Sequence, residues 1–477
     1  MGEEISCSHF KHHDFQRFAR LLKQETEVLE SWSREGRLSR QRSVGGLELE
    51  MWIIDRNGTP LPLNERLIAQ AASPDIVAEL SRFNVEFNVD PQPIGGRGLE
   101  KLEQELTETW ARCRAAAEVL DASVIAIGTL PTVEEAQLSL DNISAGERYR
   151  ALNEQAMRLR HGKPFRLTID GREQLRTEHD NVLLEAAATS LQIHLQVAAD
   201  EATAYYNASQ IASAPLVAVA ANSPFLFGKV LWEETRIPVF EQAVDVGGSE
   251  LRRVSFGTGF ANESLMECFW ENLIEFPPML PLAHEDITPK LDHVRLHNGT
   301  IWRWNRPLLG FDPDGTPHLR IEQRVPSSGP TVIDMAANIA FYFGLVETLA
   351  QRGLVAHRGA EAAPPIDGPT AKANFYEAAR RGLEAKLTWE GRPDVPVQQL
   401  LREQWIPDAY AGLERLAVDG DLAARLLGIV EARVNAGQQG ATWQRRFAEA
   451  HGRDMRLLTQ EYLTRQVSGQ PVHTWDV

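Results

Sequence analysis

Cysteine is scarce in this chain. Its 477 residues hold three, Cys7, Cys113 and Cys268, with no spacing that suits a disulfide framework or a zinc site. That excludes a disulfide-stapled fold and suits a reducing compartment. Apolar runs are short too: no uninterrupted one approaches the roughly 18 residues that cross a bilayer, so no membrane span is expected. The start, Met1-Gly2-Glu3-Glu4-Ile5-Ser6, has neither a basic region nor an apolar core. A secretory leader is therefore not expected, and a cytoplasmic location is. The same six residues match the M-G-x-x-x-S myristoylation pattern, which is short and context-dependent. Positive charge is also in short supply. Asp plus Glu number 66 against 49 Lys plus Arg, a net −17, and the pI is near 5.3. This balance excludes nucleic acid or an anionic membrane as the main partner. Internal repeats and low-complexity tracts are absent.

What is present suits a large enzyme. Hydrophobic residues at 43% and charged residues at 24% provide a substantial core, enough for two or three domains or one large domain with an accessory part. Periodicity predicts a helix within residues 10–40, ending near Gly36, and a strand at 43–54 closed by Asp55-Arg56-Asn57-Gly58. Further strands are expected at 83–89, 123–130, 189–198, 297–306 and 318–325. Helices are expected at 99–121, at 145–160, and at 203–222 with an interruption at Pro215. From about 331 onward the pattern is almost wholly helical. The loop Pro91-Gln92-Pro93-Ile94-Gly95-Gly96-Arg97-Gly98 lacks the phosphate-loop arrangement G-x-x-x-x-G-K-[ST]. Cys113 and Cys268 fall on apolar helix faces and read as core. His9, His12 and His13 read as solvated.

Four strands carry the chemistry. Successive side chains of a strand point to opposite faces, so Leu47-Glu48-Leu49-Glu50-Met51 puts Glu48 and Glu50 on one face. The polar face of 83–89 carries Glu86 between Asn84 and Asn88. In 191–197 that face is Gln192, His194 and Gln196, and in 319–325 it is Arg320, Glu322 and Arg324. A merely wet face is normally rich in Thr, Lys and Ser, which are nearly missing here. Together the four read as one sheet face with oxygen and imidazole ligands for hard divalent cations and arginine for phosphate. His179, Asp180 and Glu185 form a second candidate metal cluster.

Set in order, these segments resemble the glutamate–cysteine ligases and related carboxylate–amine ligases of the GCS2 type. Gly46-Leu47-Glu48-Leu49-Glu50 resembles the family's G-x-E-x-E strand, and Val85-Glu86-Phe87-Asn88 its second acidic strand. Ile127-Gly128-Thr129-Leu130-Pro131 resembles its Gly-Thr-x-Pro turn, and Ser190 to Leu195 the strand bearing its histidine. Asn222-Ser223-Pro224 through Arg236, His297 to Arg306, and Arg320-Ile321-Glu322-Gln323-Arg324 continue the series. The likeness covers roughly 40–350. It departs from the family pattern at Gln192, where a histidine is usual.

The resemblance implies an α+β fold: a curved, mainly antiparallel sheet of the glutamine synthetase type with helices on its outer face, plus a helical C-terminal part. The expected division is 1–40, 41–350 and 351–477. It implies an ATP- and Mg²⁺-dependent ligase that forms an acyl phosphate, with glutamate as donor, cysteine as the default acceptor and Mn²⁺ as an alternative ion. Glu48, Glu50, Glu86, His194 and Glu322 would hold metal, while Glu322 and Arg324 carry the chemistry. Arg236 and Arg306 would clamp the donor carboxylate, and Arg148 and Arg150 would reach nucleotide phosphate. The partners are small molecules, with an oligomer open. A different acceptor amine or peptide, another metal-dependent enzyme such as a phosphotransferase or amide hydrolase, and a non-catalytic nucleotide-binding protein are the alternatives.

Overall fold

The computed structural model describes residues 10–247, 249–357 and 364–477. Cys7, His9 and the myristoylation pattern lie outside the described residues.

Seven strands make one antiparallel, curled sheet: β1 (Val44–Ile54), β2 (Ile76–Ala78), β3 (Asn84–Pro93), β4 (Ser123–Ile125), β5 (Leu191–Val197), β6 (Asn305–Phe311) and β7 (Pro317–Gln323). The order across it is β6-β7-β5-β1-β3-β2, with β4 on the far end of β1. The alternation in β1 does what it predicts. Leu47, Leu49 and Met51 are at most 2% exposed on one face, which leaves Glu48 and Glu50 on the other. Register then aligns the polar residues of neighbouring strands. Glu50 is opposite Glu86, Glu48 is opposite Gln192, and Glu322 lies between His194 and Arg306.

Helices α1 (His12–Arg34), α2 (Gly98–Val119), α3 (Glu147–Leu159), α4 (Ala202–Ala220), α5 (Val332–His357), α6 (Ile406–Arg415) and α7 (Gly420–Ala436) build the surroundings. α5 packs on α4, α6 and α7 against the apolar face of the sheet. A Cβ on Gly45 of β1 would lie 2.6 Å from the Phe343 ring of α5. Glycine is what lets helix and strand approach there. By length and composition the Val332–Leu354 stretch could cross a membrane, although no uninterrupted apolar run is present. It is 89% buried inside the protein, so it is a core helix.

Several elements differ from the sequence expectation. The strand expected at 123–130 ends at Ile125, because side chains take the carbonyls that a ladder would use. Trp52 and Thr189 donate to the Ile127 carbonyl, and Tyr462 and Gln466 to that of Ala126. The expected strand at 297–306 is the end of a helix (Asp292–Asn298) and a coil, with β6 starting at Asn305. The Trp302-Arg303-Trp304 alternation misleads there, since Arg303 is buried and pairs with Glu271 at 2.7 Å. α4 runs through Pro215 without a break. Nearly every residue of it is buried, which offsets one missing backbone bond. The sequence reading missed two hairpins, Phe165–Asp170 with Gln174–His179, although Phe165, Leu167 and Ile169 alternate with polar residues, and Lys386–Trp389 with Arg392–Pro396. The second turns at Glu390-Gly391, both with positive φ, as a two-residue hairpin demands.

α5 runs through the expected boundary at 350/351, and the C-terminal region is tied back by a buried pair. Arg433 of α7 bonds to the Asp334 carboxylate of α5 at 2.9 Å, to Asn338 and to the Val219 carbonyl of α4. Arg433→Ala would leave Asp334 buried without its cation, a cost of about 3 kcal/mol or more. We expect a fall of several degrees in Tm by scanning calorimetry. An unchanged Tm would show that this pair does not anchor the C-terminal helices.

Candidate active site

Two groups of ligand atoms, each within 4.8 Å of one another, lie on the polar face of the sheet: Glu48, His194 and Glu322, and Glu50, Glu79 and Glu86. They are the only such groups among the described residues. The first joins β1, β5 and β7 and the second joins β1, β3 and the residue after β2, so β1 contributes to both through residues two apart. A cavity of ≈ 250 Å³ opens over them, lined by Glu48, Glu50, Glu79, Glu86 and Glu322 together with Arg324.

The two groups are balanced differently. In the first, Glu322 is held by Arg306 through two bonds of 2.8 Å and by Arg324 Nη1 at 3.0 Å. Burial alone would raise its carboxyl, but Arg306 and Arg324 hold it well below the usual carboxylate range. Burial alone would raise Glu48 too, but the positive charge around it, Arg324 included, holds it below its ordinary value. Burial takes His194 down to about 4, leaving a neutral ring with a lone pair to give. Its Nε2 is 3.5 Å from Glu48 and 3.7 Å from Glu322 and has no hydrogen-bond partner among the described residues.

The second group is bonded differently, with Ser190 and Gln192 donating to Glu50. Burial and the charge of Glu79 push Glu50 up to about 7. Burial, Glu48 and Glu79 raise Glu86 well above its ordinary value. The Oε1 of Glu86 is buried with no hydrogen-bond partner among the described residues. An orphaned imidazole nitrogen in one group and an orphaned carboxylate oxygen in the other fit a hard divalent cation in each.

Gln192, the departure from the family pattern, has a defined place. Its amide donates to Glu50 Oε1 at 2.8 Å, and its carbonyl oxygen accepts from Arg324. The Ser190 backbone and hydroxyl satisfy the other oxygen of Glu50. Arg324, Gln192 and Glu50 thus form a relay linking the two groups, and Arg324 Nε is buried with no bond among the described residues.

The remaining expected residues divide. Arg306 lines the cavity but is committed to Glu322. Arg148 of α3 lines the cavity and is 8% exposed. Arg150 does not, because two residues turn about 200° round a helix; it faces solvent and pairs with Glu147. Arg236 is not a cavity residue. It is 2% exposed and bonds to Glu234 and to the carbonyls of Arg324 and Val325. Glu234 in turn accepts from Asn222 and Ser223, so that whole motif is a brace for the β7 exit. His179 and Asp180 do not join Glu185. His179 bonds to Thr177 and Asp180 is exposed, whereas Glu185 lines the cavity. Sequence reasoning missed Glu79, which follows a three-residue strand with no alternation to read. Trp302 lines the cavity while Trp304 is buried.

A profile described as Glutamate-cysteine ligase family 2 (GCS2) matches residues 44–461. The chain belongs to that family. GCS2 membership makes it a carboxylate–amine ligase. A search of curated proteins finds no significant match. Among solved structures it is similar to a glutamate–cysteine ligase from Francisella tularensis in complex with AMP, with TM-score 0.58 and 11% identity over 92% of this chain and 90% of that one. It is also similar to a bifunctional glutathione synthetase from Pasteurella multocida, with TM-score 0.51 and 11% identity over 93% of this chain and 55% of that one. At these identities the likeness shows the GCS2-type fold.

Stability should report the cations. The folded-state carboxyl of Glu50, at about 7, is raised above its ordinary 4.5. The metal-free fold therefore loses stability as pH rises from 4.5 through about 7. The rise in Tm on adding Mg²⁺ should grow over the same window, measured by differential scanning fluorimetry. A Mg²⁺ effect independent of pH would contradict this.

Proposed function

We propose that this chain uses ATP to activate the side-chain carboxylate of an amino acid, glutamate by the family likeness, as an acyl phosphate that an amine then attacks. Mg²⁺ or Mn²⁺ bound at the two groups would neutralise polyphosphate charge and orient the phosphates. The reading is carried by one observation: two sets of hard-cation ligands lie over one cavity with Arg324 bonded between them.

The chain's own parts then have distinct work. Glu48, His194 and Glu322 would hold one ion, and Glu50, Glu79 and Glu86 another. Arg306 keeps Glu322 anionic and oriented, so it is a positioning residue rather than the donor clamp expected of it. Arg324 has an unused Nε and is held in a fixed plane by Glu322 and Gln192. It would stabilise charge on the transferring phosphoryl group, for which a preorganised donor is most effective. Arg148 would meet nucleotide phosphate; AMP in the Francisella tularensis structure supports a nucleotide site in this fold. Phe269, Met279 and Trp302 form an apolar wall, which excludes water that would hydrolyse an acyl phosphate.

The direct test mixes enzyme, ATP, Mg²⁺, glutamate and a panel of amines including cysteine. Phosphate release should require both donor and amine. Release from ATP alone, or amide cleavage without ATP, would overturn the reading.

Two substitutions separate the roles. Glu322→Gln removes a ligand charge, so it should weaken ATP and metal binding, with partial rescue by excess Mg²⁺. Arg324→Lys keeps the charge but loses the planar fork. It should leave ATP affinity nearly intact and lower kcat by about a hundredfold or more, as for an interaction made only in the transition state. A loss of ATP affinity in proportion to the rate would make Arg324 a ground-state phosphate holder.

A further inference from the structure

Several charged cavity residues have no task in this scheme, Arg295, Arg320 and Glu185 among them. Glu185 lies on the short helical turn Val182–Ala187, fixed at its start by Asn181, whose side chain accepts from the Leu183 amide. Asn153 of α3 accepts from the Val182 amide. The turn therefore presents Glu185 from a rigid support. The carboxylate lines the cavity beside Tyr149, Leu152 and Val182. It belongs to neither ligand group. Among the described residues no side chain hydrogen-bonds or ion-pairs with it. Burial, with the charges of Glu79 and Glu50, pushes its carboxyl well above the ordinary range, and Arg324 draws it back in part.

A partly buried carboxylate facing an apolar-walled cavity without a partner is costly unless a cation arrives. The cation can be a third metal ion or a substrate. A metal ion would need more oxygen donors, and those nearest are already gathered in the Glu50 group. A primary ammonium needs only one carboxylate for its charge and an apolar wall for its body, and Tyr149, Leu152 and Val182 supply that wall. We propose that Glu185 anchors the ammonium group of the acceptor amine, so that this end of the cavity selects acceptors that arrive as cations. The inference rests on the ligase reading above. In the reaction the ammonium gives up one proton to water, its nitrogen lone pair attacks the acyl carbon, and the nitrogen passes a second proton to the departing phosphate as the amide forms. The carbon–oxygen bond to phosphate then breaks, and phosphate leaves with the electron pair. Glu185 is assigned the capture and orientation of the amine before that step.

The test uses two nucleophiles of opposite character with the full-length enzyme, ATP, Mg²⁺ and glutamate at neutral pH. Hydroxylamine is mostly neutral there and traps an acyl phosphate as a hydroxamate, whereas methylamine is a cation. Both products are quantified by mass spectrometry for wild type, Glu185→Gln and Glu185→Asp. We expect Glu185→Gln to raise KM for methylamine about tenfold or more while kcat/KM for hydroxylamine stays within about threefold. Glu185→Asp, which keeps the charge, should recover part of the methylamine KM. Parallel loss with both nucleophiles, or an increased Mg²⁺ requirement, would make Glu185 a metal ligand or a structural group and overturn the proposal. So would an unchanged methylamine KM, or a wild type that forms hydroxamate but never couples methylamine. A wild type that forms no hydroxamate defeats the ligase reading itself, and the proposal with it.

Discussion

Repulsion among buried carboxylates is the constraint on which the site depends. Glu48, Glu50, Glu79, Glu86 and Glu322 converge on one face of a sheet whose other face is solid core. In a low-dielectric setting like charges this close cannot all stay ionised without counter-charge. The protein supplies that counter-charge unevenly. The group on the β7 side has Arg306 and Arg324 and keeps Glu322 anionic, while the group on the β3 side leaves Glu50 and Glu86 raised. That asymmetry makes the β3 side the place where a cation adds most.

The surroundings serve that arrangement. α5 fills the apolar side so closely that Gly45 admits no side chain. The Asn222–Arg236 segment braces the chain where it leaves β7, with Arg236 bonded to the Arg324 carbonyl. The C-terminal helices reach the same brace, for Gln444 donates to Asn222 and Arg445 pairs with Glu233 at 2.8 Å. A pivot of Arg324 is therefore resisted both through its side chain, by Glu322 and Gln192, and through its backbone.

How much was legible follows from how far each signal is local. The Leu-Glu-Leu-Glu alternation of β1 and its partners in β3, β5 and β7 is a period-2 pattern with a chemical face, so the sheet and five of the six residues gathered in the two groups could be read directly. Glu79 follows a three-residue strand, and its membership depends on a pairing of β2 with β3 that no spacing reveals. Arg236 and Arg306 both looked like carboxylate clamps, because a buried ion pair and a substrate clamp use the same residue type. Only the partners, Glu234 and Glu322, tell them apart. Arg148 and Arg150 looked equivalent in composition and are separated by helix geometry alone. The stretch 297–306 failed because a buried arginine imitated a solvent-facing one.

The account stands or falls on whether the two carboxylate groups are separate cation sites. The direct measurement is the Mn²⁺ stoichiometry by electron paramagnetic resonance, without nucleotide, for wild type, Glu86→Gln and His194→Ala. The account predicts two ions per chain in the wild type, one for each group. Each variant should lose one ion and keep the other. Fewer than two ions in the wild type, or loss of both ions in either variant, would contradict it.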